Sequence, residues 1–340
     1  MSALWVGGAA LVLSWALTGW VRRYALRRSL LDMPNPRSLH ERPVPRGGGL
    51  AIAIVILAGV ALGWLLGWVS ARSALALVGG GGAVAGIGWI DDRRGVAPEI
   101  KAAVQGCAAL WALTWLGGFP RIHWGGEMIP LGALGWVVGT IGIMWGINFY
   151  NFMDGIDGLA GGEAVAVSLA ATLLLGVTAY PELALVCALI AGSSAGFLIW
   201  NWPPARIFLG DVGSAFLGFM FSVLAVMSEN AGALPVVGWL LLLGVFFVDA
   251  TITVARRIAS GEPWYRAHRT HAYQRAVQAG RSHRQVTLAI LGLDVVLAGL
   301  VWIGWTNPAR MPSMVGIGIL LLATIYWLVE RWSPMWKATS

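Results

Sequence analysis

Apolar residues run through this chain in blocks of bilayer length, broken by short polar stretches. A helix needs roughly 17–25 mostly apolar residues to cross the hydrocarbon core of a membrane. About eleven such blocks can be drawn, over residues 3–21, 48–69, 73–90, 102–118, 131–149, 159–179, 183–200, 213–228, 234–255, 285–305 and 312–330. Lipid cannot satisfy backbone N–H and C=O groups, so the blocks must be helices. The expected fold class is therefore all-α: a polytopic integral membrane protein, forming one domain over residues 1–340 because no connection is long enough to fold alone. A small outer hairpin is expected at 121–130, turning at Gly125-Gly126. No internal repeat, inverted or parallel, is visible.

Charge gives the blocks a direction. Of the 23 Lys and Arg residues, 20 fall in 22–47, 91–101, 148–158, 201–212, 256–284 and 331–340, and only Arg72, Arg121 and Arg310 fall in the alternate loops. Basic loops stay in the cytoplasm, which sets the N-terminus outside and the C-terminus inside. The net charge of +7 reports this orientation, and no nucleic-acid partner is needed to explain it. The block 3–21 lacks a basic leader and ends in Arg22-Arg23, so it reads as a retained span and not a cleaved signal. Composition agrees: 58% of residues are hydrophobic and 11% charged, against about 25% charged in soluble domains. The 20 Trp suit interfacial belts, and the 46 Gly, with a run at Gly79–Gly82, suit close helix packing. The two cysteines, Cys107 and Cys187, lie inside apolar blocks, which argues against a disulfide framework or a thiolate metal site.

The polar residues that interrupt this pattern carry the candidate chemistry. Asp91-Asp92 end one block, and adjacent like charges call for a cation or a nearby base. Arg93, Arg94 and Lys101 follow; the bland alternative is a solvated stop between spans. The turn 148–158 has no Lys or Arg but holds Asn148, Asn151, Asp154, Gly155, Ile156, Asp157 and Gly158, more oxygen donors and glycines than a turn needs. In the segment 201–214, Asn201, Phe208 and Asp211 precede an apolar block, and a helix start there suits a phosphate or an N-capping carboxylate. The sequence His268-Arg269-Thr270-His271, near Arg266 and Arg275, is a dense donor cluster suited to phosphates. The Pro/Arg-rich loop 22–47 adds Arg46, His40 and three glycines at 47–49. Asp249 is expected to pair with an Arg or Lys, Asp294 to make a helix–helix hydrogen bond, and His283 merely to flank a span. Carboxylates near hydrocarbon are costly, and several at one membrane face suggest a divalent cation and a phosphorylated substrate.

Taken together, PVPRGGGLAI, GWIDDRRGVAPEIKAAVQ, NFYNFMDGIDGLAGG, NWPPARIFLGDVGS and HRTHAYQR occur in an order that resembles the polyprenyl-phosphate N-acetylhexosamine-1-phosphate transferases, the MraY/WecA-type superfamily of glycosyltransferase family 4. The resemblance implies transfer of a sugar 1-phosphate from a UDP-N-acetylhexosamine to undecaprenyl phosphate, with release of UMP. It implies Mg2+, or Mn2+ in its place, held by Asp211 with Asp91 and Asp92. Asp91 looks like the group that deprotonates or orients the lipid phosphate, and Asn151 and Asp154 would line the cleft. Gly155, Ile156, Asp157, Asn201 and Phe208 resemble a uridine pocket. Arg46, Lys101, His268, Arg269 and His271 look like donors to sugar and phosphates.

The same resemblance implies the bacterial inner membrane, an active site on the cytoplasmic face and a homodimer. The peptidoglycan-precursor branch carries Lys and Thr in its first inner loop and a His-His-His run in its last. Here Arg46 and HRTHAYQ stand instead, and the late motif resembles the O-antigen-initiating branch. The rival expectation is a proton-coupled transporter using Asp249 and Asp294.

Overall fold

Each expected apolar block is helical in the computed structural model, which describes residues 3–34, 39, 42–177, 180–263 and 268–336. The described helices are α1 (Ala3–Arg27), α2 (Gly49–Leu65), α3 (Ala71–Arg94), α4 (Pro98–Leu116), α5 (Leu134–Phe152), α6 (Leu159–Val177), α7 (Pro181–Asn201), α8 (Asp211–Asn230), α9 (Val236–Leu242), α10 (Gly244–Ala259), α11 (Ala272–Gln278), α12 (His283–Thr306) and α13 (Met311–Trp332). Seven of these are long and apolar enough to cross a membrane, and eight if α9 and α10 count as one broken span. The block 234–255, expected as one span, is built from α9 and α10. It bends by 83° at Leu243, where Gly244 leaves room for the Leu322 side chain of α13.

The hairpin expected at 121–130 forms, with β3 (Arg121–Trp124) antiparallel to β4 (Glu127–Pro130) about Gly125-Gly126. The Pro/Arg-rich loop contributes a ribbon not anticipated from sequence, β1 (Leu31–Asp32) antiparallel to β2 (Val44–Pro45). His40 and Arg266 lie outside the described residues.

Helix α8 is the axis of the bundle. Val212 to Glu229 is buried almost throughout, packed against α3, α5 and α2. Outside this core, α1 packs on α7 and α7 on α6, while α12 and α13 pair at the other side. Large apolar side chains such as Leu4, Leu173, Val295 and Leu320 face outward, as expected where the surrounding medium is lipid. The glycine run in α3 serves packing: side chains at Gly79, Gly80 and Gly81 would meet Trp111, Phe219 and Phe216. At Gly88 the α3 backbone lies directly on Asp211 and Val212, with no room for a Cβ. That contact sets the end of α3 against the start of α8, which places two of the acidic motifs side by side.

Candidate active site

The turn between α3 and α4 is dictated locally. Gly95 ends α3 at φ +69°, donating to the Asp91 carbonyl at 2.9 Å, and Pro98 opens α4 at its first position. The Asp91 carboxylate accepts from the Val96 N–H at 2.6 Å. Lys101, in the first turn of α4, then reaches back to Asp91 Oδ2 at 2.9 Å and to Asp211 Oδ2 at 3.5 Å. Burial works against the Lys101 ammonium, but its hydrogen bond to Asp91 and the charge of Asp211 outweigh this and hold its pKa above the usual lysine value.

Asp92 points the other way. Its Oδ1 accepts from the Asp211 N–H at 2.9 Å and its Oδ2 from the Val212 N–H at 3.1 Å. Arg46 bridges the two motifs, with Nε 2.9 Å from Asp92 Oδ1 and Nη2 3.0 Å from Asp211 Oδ1. Arg46 is delivered by backbone pairing of its loop with 208–209: Phe208 N–H donates to the Pro45 carbonyl at 2.8 Å, and Gly48 and Gly49 donate to the Phe208 and Leu209 carbonyls at 2.9 Å. Asn151, at the end of α5, accepts from the Ser214 hydroxyl at 2.5 Å, tying α5 to the first turn of α8.

Beside this cluster lies a polar cavity of about 170 Å3, lined by Asp32, Leu39, Arg46, Asp154, Gly155, Ile156, Asp157, Asn201, Phe208, Leu209, Gly210, Gln274 and His283. Asn201 is fixed at both ends, accepting from Gly158 N–H at 3.0 Å and donating to the Ile207 carbonyl at 2.9 Å. Asp157 accepts from the Ala205 N–H at 3.0 Å and faces His283 Nδ1 at 3.4 Å. The Asp154 carboxylate accepts no hydrogen bond among the described residues. Burial pushes it well above the usual carboxylate range; Arg46 opposes this, and Asp211, Asp92 and Asp157 add to it.

The histidine motif forms a separate cluster. The rings of His268 and His271 stack at 4.9 Å, and His271 stacks on Phe152 at 6.2 Å. Neither histidine nor Arg269 lines the polar cavity or pairs with its carboxylates among the described residues. Burial, then His271 and Arg257, push the His268 imidazole down to about 3. The motif leads into α11, which docks on the last residue of α5 through the Tyr273 hydroxyl, donating to the Phe152 carbonyl at 3.0 Å.

Several expectations change here. The partners of Asp249 are the Ala272 and Tyr273 N–H groups at 2.9 and 3.1 Å, Thr253 and His271, not an Arg or Lys. The reason is that Asp249 lies under the unpaired start of α11, whose N–H groups need an acceptor. Arg275 is turned away from the donor cluster onto Glu330 of α13 at 2.7 Å, an ion pair Glu330 also makes with Arg256 at 2.6 Å. Asp294 of α12 does meet the expectation of a helix–helix hydrogen bond: its partner is the buried Glu163 carboxyl of α6, a contact that needs one proton held between the two acids. His283 does more than flank a span, because it walls the cavity beside Asp157. Gln274 also reaches that wall, and its place in HAYQ was the one sequence signal that could have found it.

The donor set suits a hard divalent cation. Magnesium is held through one or two carboxylates, water and substrate phosphates, so it needs no cage of protein ligands. Among the described residues no three His, Cys, Asp or Glu side chains form such a cage. Three carboxylates, Asp91, Asp92 and Asp211, stand against two bases, Arg46 and Lys101, and burial disfavours the ionised form of a fourth, Asp154. A bound cation would favour the ionised form of Asp154 and relieve the crowding of carboxylates.

Residues 74–229 match the glycosyl transferase family 4 profile. The chain is 32% identical to the decaprenyl-phosphate N-acetylglucosaminephosphotransferase of Mycolicibacterium smegmatis over an alignment 368 positions long, gaps included, covering 96% of this chain and 88% of that protein. The chain belongs to the polyprenyl-phosphate hexosamine-1-phosphate transferase superfamily. A Bacillus subtilis member named "Probable undecaprenyl-phosphate N-acetylglucosaminyl 1-phosphate transferase" is 31% identical over 81% of this chain and 77% of its own length. A phospho-N-acetylmuramoyl-pentapeptide-transferase of Trichormus variabilis is 36% identical, but over only 50% of this chain and 49% of its own. As a superfamily member with many apolar helices and bacterial relatives, the chain is a bacterial membrane transferase.

Proposed function

We propose that this transferase moves an N-acetylhexosamine 1-phosphate from a UDP-sugar to a polyprenyl phosphate, undecaprenyl phosphate being the expected carrier, and releases UMP. The relatives aligned over most of the chain carry N-acetylglucosamine in their names, so UDP-N-acetylglucosamine is the first donor to test. The pentapeptide enzymes align over half of it, which favours a small sugar. The late motif HRTHAYQR supports a place at the start of O-antigen or a related surface glycan. Eleven spans, counted from the apolar blocks, and the skew of basic residues support a cytoplasmic site in the inner membrane.

The observation that carries this reading is the meeting of Arg46, Asp91, Asp92, Lys101 and Asp211 beside one polar cavity. Both substrates are anions, so their approach must be screened. Asp211 and Asp91 would hold Mg2+, which when bound would neutralise the diphosphate. Arg46 and Lys101 now rest on carboxylates and can turn to phosphate oxygens. The cavity formed by Gly155, Ile156, Asp157, Asn201 and Phe208 would take the uridine. Asp91 would accept the proton of the lipid phosphate or orient it. A lipid phosphate oxygen attacks the β-phosphorus, a new P–O–P bond forms, and the bond to the α-phosphate oxygen breaks to leave UMP. An apolar groove of about 240 Å3 between α5, α8, α9 and α10 suits part of the prenyl chain.

The test is UMP release by purified protein with undecaprenyl phosphate, Mg2+ and a panel of UDP-N-acetylhexosamines, with lipid products read by mass spectrometry. Asp211→Asn and Asp91→Asn should each lower the rate by about 100-fold or more. Wild-type rates in both would remove the assignment.

A further inference from the structure

We propose that Asp92 is a positioning residue that caps the start of α8 and aims Asp211, and that it is not a metal ligand. The proposal rests on the transferase reading above, since it divides the roles within that site.

A helix start leaves N–H groups with no partner inside the helix, and the residue just before it normally supplies a side-chain acceptor. At α8 that residue is Gly210, which has no side chain and stands at φ +77°. The missing acceptor comes from another helix. Asp92, at the end of α3, takes the Asp211 N–H on one oxygen and the Val212 N–H on the other, at 2.9 and 3.1 Å. Arg46 Nε adds a third donor at 2.9 Å, and the Asp92 side chain is only 3% exposed. A Cβ at Gly210 would collide with this carboxylate, so the glycine and the aspartate are fitted to each other. Gly88 lets the two helices approach closely enough for the contact.

Turning Asp92 toward a cation would strip both helix-start N–H groups of their acceptor in a buried place, where an unmade hydrogen bond is costly. Asp211 differs. Its carboxylate is held by the side chains of Arg46 and Lys101, which are mobile donors that a phosphate could recruit. Asp91 likewise offers Oδ2 to Lys101. Two adjacent aspartates of identical chemistry thus face in different directions from the last turn of α3. Asp91 looks toward Lys101 and the reacting groups, while Asp92 holds the backbone that carries Asp211. Arg46 spans Asp92 and Asp211 with one guanidinium, so the two carboxylates are held together until a phosphate recruits it.

The test uses purified protein stripped of metal, with Mn2+ binding followed by electron paramagnetic resonance and unfolding followed without metal. Asp92→Asn should lower the metal-free melting temperature by about 3 °C or more while leaving Mn2+ affinity within about threefold. Asp211→Asn, which alters the proposed ligand itself, should weaken Mn2+ at least about tenfold. In the UMP assay Asp92→Asn should lower kcat at saturating Mg2+ and leave the Mg2+ concentration for half-maximal rate unchanged. Asp92→Ala, which retains no acceptor, should be worse than Asn in both stability and kcat. If Asp92→Asn weakens Mn2+ as much as Asp211→Asn and leaves the metal-free melting temperature alone, the proposal is overturned. Gly210→Ala presses on the same carboxylate from the opposite side, so it should lower stability with Mn2+ affinity intact; a selective loss of Mn2+ affinity there would also count against the proposal. If neither aspartate affects Mn2+ binding, the metal assignment under the proposed function fails, and the stability readings alone decide whether Asp92 caps α8.

Discussion

Lys101 and Arg46 each divide their charge between two aspartates, so the acidic cluster is held in balance before any substrate arrives. Such a balance is easily redirected, because both bases have side-chain partners that phosphate oxygens can replace. His268 behaves differently. Its imidazole is pushed down to about 3, so it remains neutral in the folded protein at pH values where an unfolded chain would take up a proton, below about 6.5. The unfolded state therefore binds more protons in that window, and stability falls as pH falls from about 6.5 toward 3. Comparing melting temperatures at pH 7 and pH 5, His268→Gln should lose less stability than the wild type. An identical loss in both proteins would show that His268 does not contribute to the acid sensitivity. Which residue types matter could be read along the chain, since carboxylates at the ends of apolar blocks stand out. Which oxygen faces which donor could not, because adjacent Asp91 and Asp92 look alike until α3 and α8 are in contact.

At the scale of elements, the same device recurs where helices start without a useful cap of their own. Asp249 reaches from α10 to the Ala272 and Tyr273 N–H groups of α11, as Asp92 does for α8. Asp249→Ala would leave two buried donors unpaired at about 1–3 kcal/mol each. Hydrogen exchange should then speed up over α11 and spare α8; unchanged exchange in α11 would refute its dependence on Asp249. Helix positions and the β3–β4 hairpin were legible because they rest on local signals: apolar length and Gly125-Gly126. The break between α9 and α10 was not, because no proline marks it and Leu322 comes from a distant helix. The place of His283 is hidden from the sequence for a similar reason. It opens an apolar block, and only the packing of α12 on α6 brings it to Asp157.

For the whole molecule, the candidate site residues gather at one end of the bundle, and the β3–β4 hairpin and the loop after α12 lie at the other ends of the helices. This predicts a sided labelling pattern. In a Cys107→Ala background, Arg281→Cys should react with an impermeant thiol reagent only from the cytoplasmic side, and Gly126→Cys only from outside. Labelling of both from one side would overturn the orientation.

Sequence by itself determined that the chain lives in lipid, where its helices run and which ends carry charge, because membrane insertion depends on local apolarity and on basic residues near each span. The motifs also placed it in its superfamily. Tertiary structure decided how those motifs divide the work: that Asp92 and Asp249 serve backbone, that Arg275 turns to Glu330, and that Gln274 and His283 wall the cavity. These are matters of direction, and a side chain's direction is set by helices that meet only after the chain has folded.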